Sequence, residues 1–167
     1  VPAGAVSGIY IARLVRDDTQ GASHIAFIVR DDAGTSSLFF KTSDATWQAY
    51  NNYGGNSLYV GTVPRSNGNA AKVSYNRPFN TRAGGGGGGA SEDWLFNSEY
   101  PMLRWLESNG YDVSYTTDLD VDRSPARLLQ HAVFMSVGHD EYWSGGERAA
   151  VEAARNAGVH LAFFSGN

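Results

Sequence analysis

The stretch SVGHDEYWSGGE, residues 136–147, joins the apolar run AVFM at 132–135 to the alanine-rich run RAAVEAARNAG at 148–158. Ser144 and Glu147 stand three apart, the spacing of a capping box in which each side chain bonds the other residue's backbone N–H. A helix is therefore expected to start at Ser144, and a buried strand to end just before Gly138. Residues 138–143, GHDEYW, then fill the connection between a strand's carboxyl end and a helix N-terminus. In open α/β sheets that rim is where ligands bind. Gly138 lets the chain bend sharply as the strand finishes.

The same rhythm extends on either side. Upstream, Met102, Leu103, Trp105 and Leu106 make a helical apolar face, with Ser98 as the expected cap, Pro101 in the first turn and Asn109-Gly110 as the stop. YDVSYTT at 111–117 follows as a strand. Downstream, the helix over 146–157 is expected to bury Ala149, Ala150, Ala153 and Ala154 and to stop at Gly158, ahead of the strand VHLAFFS at 159–165. Alternation of helix and strand across short links implies parallel strands with right-handed crossovers. The first part differs: IYIARLVR (9–16), HIAFIVR (24–30) and SLFFKTS (37–43) read as strands separated by polar glycine-bearing turns, in hairpin-like, antiparallel order. The fold class is thus α/β, a mostly parallel sheet flanked by helices with an antiparallel strand-rich N-terminal part. The glycine-rich segment 83–93, with Gly84 to Gly89 unbroken, reads as a flexible loop.

The whole chain of 167 residues is expected to form a single domain. Its 13 basic residues are scattered, only Lys41 and Lys72 are lysines, and the formal charge is −4. No basic stripe exists to follow a phosphate backbone, so nucleic acid is not an expected partner. The absence of cysteine excludes disulfides, thiolate metal sites and a cysteine nucleophile. No apolar run approaches the roughly 20 residues that span a bilayer, and localisation, cytoplasmic or secreted, stays open.

His139, Asp140 and Glu141 bring the ionisable chemistry to the rim. Each has a structural use: Asp140 can offset a helix dipole, Glu141 can pair with an arginine and His139 can bond a carbonyl. Their clustering at this edge favours function. His139 and Glu141, two apart, can point to one side of an extended loop. Arg77, before Pro78, can clamp a carboxylate or form a salt bridge.

Three separated motifs carry a resemblance: GHDEYWS at 138–144, TWQAYNNYGGNSLY at 46–59 and EYPMLRWLESNGYDVSYTTDLD at 99–120. Together they resemble the large subunit of N,N-dimethylformamidase and its relatives, over about residues 6–167. The resemblance implies a domain similar to class I glutamine amidotransferases (flavodoxin-like), truncated at its C-terminus relative to the family. It implies hydrolysis of the C–N bond of a small linear amide with a mononuclear ferric iron held by two tyrosines and one glutamate. Carried over by motif, the ligands are Tyr50, Tyr100 and Glu141, with Tyr53 and Tyr59 as neighbouring phenols. The catalytic set is Glu141, His139 and Asp140. A homo-oligomer or a small partner subunit is implied in the same way.

The donor set makes chemical sense by itself. Two phenolates and a carboxylate neutralise three positive charges with hard oxygen donors, and tyrosinate is an established iron ligand. Imidazole, with an ordinary pKa of about 6.5, suits His139 to orient Glu141 or to move a proton. Asp140 can hold His139 or a water, and Tyr142 and Trp143 can wall an apolar pocket. The competing reading is a non-catalytic binding or structural module of a larger secreted or surface protein. A serine hydrolase is disfavoured, because no G-x-S-x-G elbow occurs.

Overall fold

The computed structural model describes residues 2, 4–61, 68–79 and 95–166. The glycine-rich segment 83–93 lies outside them. Two strands, β1 (Gly8–Val15) and β2 (Ala22–Val29), form the expected antiparallel hairpin, with Gly8 opposite Val29 and Val15 opposite Ala22. The third strand leaves this company. β3 (Leu38–Thr42) is an inner strand of a four-stranded sheet and pairs in parallel with β4 (Val113–Thr117) on one side and β5 (Val133–His139) on the other. β6 (His160–Gly166) extends the sheet beyond β5, giving the order β4-β3-β5-β6, all parallel. The reason is burial. Phe39, Phe40, Lys41 and Thr42 are all shielded, so β3 has no solvated face and needs cover on both.

Helices supply that cover. On one face, α3 (Tyr100–Ser108) sets Leu103 and Leu106 against Phe40, Tyr115, Met135 and Val137, and Ile9 and Ile28 of the hairpin join the margin. On the other, α4 (Asp118–Arg123) and α5 (Gly145–Asn156) pack Val121, Ala150, Val151 and Ala154 on Phe39 and Phe134. The buried stripe of α5 is Glu147, Ala150, Val151 and Ala154. Ala149 and Ala153 are exposed instead, because positions i, i+3, i+4 and i+7 measured from Glu147 exclude them. The stops at Gly110 and Gly158 have positive φ, 72° and 101°.

Two helix starts depart from expectation. α3 is preceded by the short α2 (Leu95–Ser98), and Glu99, not Ser98, is the cap residue of α3. A further helix, α1 (Asp44–Tyr50), directly follows β3 and buries Trp47. Among the described residues no helix is long and apolar enough to cross a membrane.

Candidate active site

The strand order decides where a site can form. Counted along the parallel sheet alone, β3 is the first strand and lies between the second, β4, and the third, β5. The chain leaves the carboxyl end of β3 through α1 on a crossover to β4 whose helix α3 covers one face, while the end of β5 runs by residues 140–144 into α5 on the other. Crevices open where neighbouring strands feed opposite faces. GHDEYW occupies that point.

Gly138 sets the bend. Its φ is +85°, and a Cβ there would lie 2.7 Å from the Ser98 carbonyl oxygen. The loop is next tied to α1: the backbone N–H groups of Glu141 and Tyr142 both donate to Thr46 Oγ1, at 3.0 and 3.1 Å. Thr46 and Tyr50 are one helical turn apart, so the same face of α1 that anchors the loop also presents a phenol to it. The capping box predicted for α5 is present in both directions: Glu147 N–H donates to Ser144 Oγ at 2.9 Å, and the Ser144 N–H reaches Glu147 Oε2 at 3.4 Å.

Glu141 is the centre of a phenol cluster. The Tyr50 hydroxyl donates to its Oε2 at 2.6 Å and the Tyr59 hydroxyl to its Oε1 at 2.7 Å. His139 Nε2 lies 3.3 Å from Oε2. The Tyr142 hydroxyl donates to that of Tyr59 at 2.9 Å. The rings of Tyr50 and Tyr59 stack with centroids 4.3 Å apart, and His139 sits 5.2 Å from the Tyr50 ring. Burial pushes Glu141 upward, but hydrogen bonds from Tyr50 and Tyr59, with His139 beside them, outweigh it and hold the carboxyl below its ordinary value. Tyr59 is driven the other way, above the usual phenol range, first by desolvation and then by Tyr142, the neighbouring Tyr50 phenol and Glu141.

Tyr59 owes its position to a tightly bonded loop. Leu58 N–H donates to Ala49 O, Ser57 N–H to Val60 O, and Ala70 N–H to Ser57 O. Among the described residues Arg77 forms neither a carboxylate clamp nor a salt bridge. Its guanidinium donates to the carbonyls of Gln48, Asn51 and Asn56, each at 2.8 Å. It thus caps the C-terminal turn of α1 and fixes the loop that leads to Tyr59.

The structure does not bring Tyr100 to this cluster. Its ring packs edge-on against Phe96, and its hydroxyl faces Arg104 at 3.5 Å. It stands in the first turn of α3, outside the buried pair Leu103 and Leu106, and more than a third of it is exposed. Tyr59, within the quoted motif 46–59, stands beside Tyr50 instead. Tyr53 is half-exposed on a 3-10 turn.

Asp140 points inward and not toward His139. It accepts from Ser136 Oγ at 2.5 Å and from Lys41 Nζ at 2.8 Å. Lys41, wholly buried in the middle of the sheet, also pairs with Asp118 at the start of α4 and with Glu147 in α5, the latter at 2.9 Å. Desolvation alone would lower the lysine, yet Asp118, Asp140 and Glu147 reverse this and hold the ammonium above its ordinary range. The acids outnumber the cation. Burial, opposed by Lys41 and aided by Asp118, pushes Glu147 up to about 8. Asp44, bonded by the Asp118 N–H at 2.8 Å, is pushed by burial and by the Asp118 charge to about 7. Trp143 belongs to this buried region, 4.8 Å over Lys41 Nζ and against Phe134, while Tyr142 belongs to the phenol cluster. The lone lysine in the apolar strand LFFKT was the sequence signal for this network, but nothing local named its partners.

Among the described residues there is no group of three or more His, Cys, Asp and Glu side chains placed to hold a metal ion. Such a grouping leaves phenols out of account. The oxygens that converge here are two phenols and one carboxylate. The chain matches, over residues 1–167, the family model for N,N-dimethylformamidase beta subunit-like, C-terminal domains. No curated protein matches it.

Proposed function

The chain belongs to the N,N-dimethylformamidase beta subunit-like, C-terminal family, and from that premise we propose that it is an iron-dependent hydrolase of small amides. The strand order, second-first-third-fourth along the parallel sheet, supports a flavodoxin-like and glutamine-amidotransferase-like reading of the domain. The observation that carries the proposal is the convergence of Tyr50 and Tyr59 on the two oxygens of Glu141. Tyr50, Tyr59 and Glu141 are the residues that would hold the iron. Their fit lies in the donor set: loss of the two phenol protons leaves three anionic hard oxygens already gathered in one place, the charge a ferric ion neutralises. Iron held there would supply Lewis acidity toward an amide carbonyl and a water molecule.

The remaining roles fall to the chain's own groups. His139, partly open to solvent, is positioned by Glu141 and can give a proton to the departing amine nitrogen. The rings of Tyr50, Tyr59 and Tyr142 form one wall, which suits a small substrate with little polar surface. Thr46 keeps the main chain of Glu141 and Tyr142 from drifting away from α1. Asp140 acts beneath the site, anchoring the loop to Lys41.

The test is iron content after ferric reconstitution, with amide turnover measured alongside. The wild-type protein is expected to hold one iron. Glu141→Gln keeps shape and removes charge, and Tyr59→Phe removes one ligand oxygen; both should lose the metal. Stoichiometric iron in both variants would refute the ligand set. A wild-type protein with neither iron nor turnover would point to the binding-module reading instead.

A further inference from the structure

The hydroxyl chain at the site has a direction fixed by proton count. Tyr59 has one hydroxyl proton, and it is directed at Glu141 Oε1, 2.7 Å away. The 2.9 Å contact between Tyr59 and Tyr142 must therefore be carried by the proton of Tyr142. The two rings meet edge-on, at 88° with centroids 6.3 Å apart, so the hydroxyls touch without the rings stacking. The root of Tyr142 is also fixed, since its backbone N–H donates to Thr46 Oγ1. Tyr142 follows Glu141 directly in sequence, so the loop that delivers the carboxylate delivers this donor too.

We infer that Tyr142 is a positioning residue that acts through Tyr59, its hydroxyl donating to the Tyr59 oxygen when that oxygen holds a cation as a phenolate. This rests on the iron reading above. Once the Tyr59 proton is gone, its bond to Glu141 ends, but its capacity to accept from Tyr142 remains. The acceptor is then an anion, and a hydrogen bond to a charged oxygen is shorter and stronger than one between neutral groups. Partners of this kind orient a metal ligand and tune its donor strength. Tyr142 withdraws electron density from the Tyr59 oxygen and restrains the ring against rotation away from Glu141.

Tyr142→Phe keeps the ring and removes only the donor, so its fold, checked by circular dichroism, should match the wild type. In the ferric protein the phenolate-to-iron absorption band should move to longer wavelength, because an unbonded phenolate releases its electron more readily. Iron retention should weaken on the order of 10-fold. A second readout needs no variant: in the wild-type ferric protein, transfer to D2O should shift a phenolate vibration in the resonance Raman spectrum. If a wild-type band exists but neither the substitution nor deuterium moves it, the role of Tyr142 is overturned while the ligand set stands. If the wild-type protein takes up iron without any phenolate band, the ligand set fails first and this inference with it.

Discussion

Asp140 and Glu141 are consecutive carboxylates on one loop, yet they belong to different worlds. Asp140 turns down into the sheet, where its side chain is fully shielded and meets a lysine and a serine. Glu141 turns up to the rim, where about a quarter of its side chain is exposed and its partners are phenols and an imidazole. The buried acid is neutralised by a permanent cation supplied by β3. The rim acid has only hydrogen-bond donors whose protons can be given up. The first arrangement stabilises a fold, and the second leaves room for a cation from outside. Alternation of side chains along an extended loop is enough to separate them.

The sharpest way to break this contrast is Lys41→Met. It leaves Asp118, Asp140 and Glu147 buried around an uncharged side chain. Removing one partner of a buried ion pair destabilises by about 3–5 kcal/mol. Urea denaturation should show a loss of that order, smaller in acid, where the orphaned carboxylates can protonate. A loss below about 1 kcal/mol, the ordinary range for an exposed pair, would mean that the cage is open to water. Gly138→Ala attacks the bend that lets the two acids diverge. A positive φ and a Cβ at 2.7 Å from the Ser98 carbonyl should destabilise by about 1–3 kcal/mol, read as a lower thermal midpoint. An unchanged midpoint would show that the α2 backbone yields.

A third carboxylate sharpens the comparison through pH. Glu99 is completely buried; Ser43 N–H and Trp47 Nε1 both donate to its Oε1, and among the described residues Oε2 has no hydrogen-bond partner. Burial pushes it up to about 8, against the pull of those two donors. Between its ordinary 4.5 and about 8 the folded protein therefore holds a proton that the unfolded chain has lost, and stability falls as pH rises through that window. Glu147 and Asp44, also raised, add in the same direction. Glu99→Gln keeps the accepting oxygen and cannot ionise. It should flatten part of the slope, raising stability at pH 8 on the order of 1 kcal/mol with little change near pH 5. Parallel pH–stability curves for variant and wild type would show that Glu99 is ionised throughout.

How much of this the sequence carried depends on the range of the interactions involved. The start of α5 was legible because a capping box is complete within four residues. The β1–β2 hairpin was legible because its partners are neighbours in the chain. The company of β3 was not, since β4 and β5 reach it only after long excursions, and a strand shielded on both faces shows no alternation to betray its direction. A lysine inside the apolar strand LFFKT is a signal visible in the sequence, but its three carboxylates come from three later elements. Tyr50 and Glu141 came from motifs that meet through Thr46. Tyr59 came to the site through a loop path set by Arg77 and Ser57, which no local pattern encodes.

The smallest expected effect falls where the sequence pointed and the structure did not follow. Tyr100 is more than a third exposed and touches Phe96 and Arg104, neither of which bonds Glu141. Tyr100→Phe removes one weak contact to a mobile-length arginine side chain, and surface changes of this kind stay within about 0.5 kcal/mol. Iron content, the phenolate band and the thermal midpoint should all match the wild type, while Tyr59→Phe, the same chemical change, should abolish the metal. The pair is informative because both phenols have similar exposure, 37% and 40%, and differ in what their hydroxyls meet. Loss of iron in Tyr100→Phe with retention in Tyr59→Phe would return the second ligand to α3 and require that helix to swing its first turn toward Glu141.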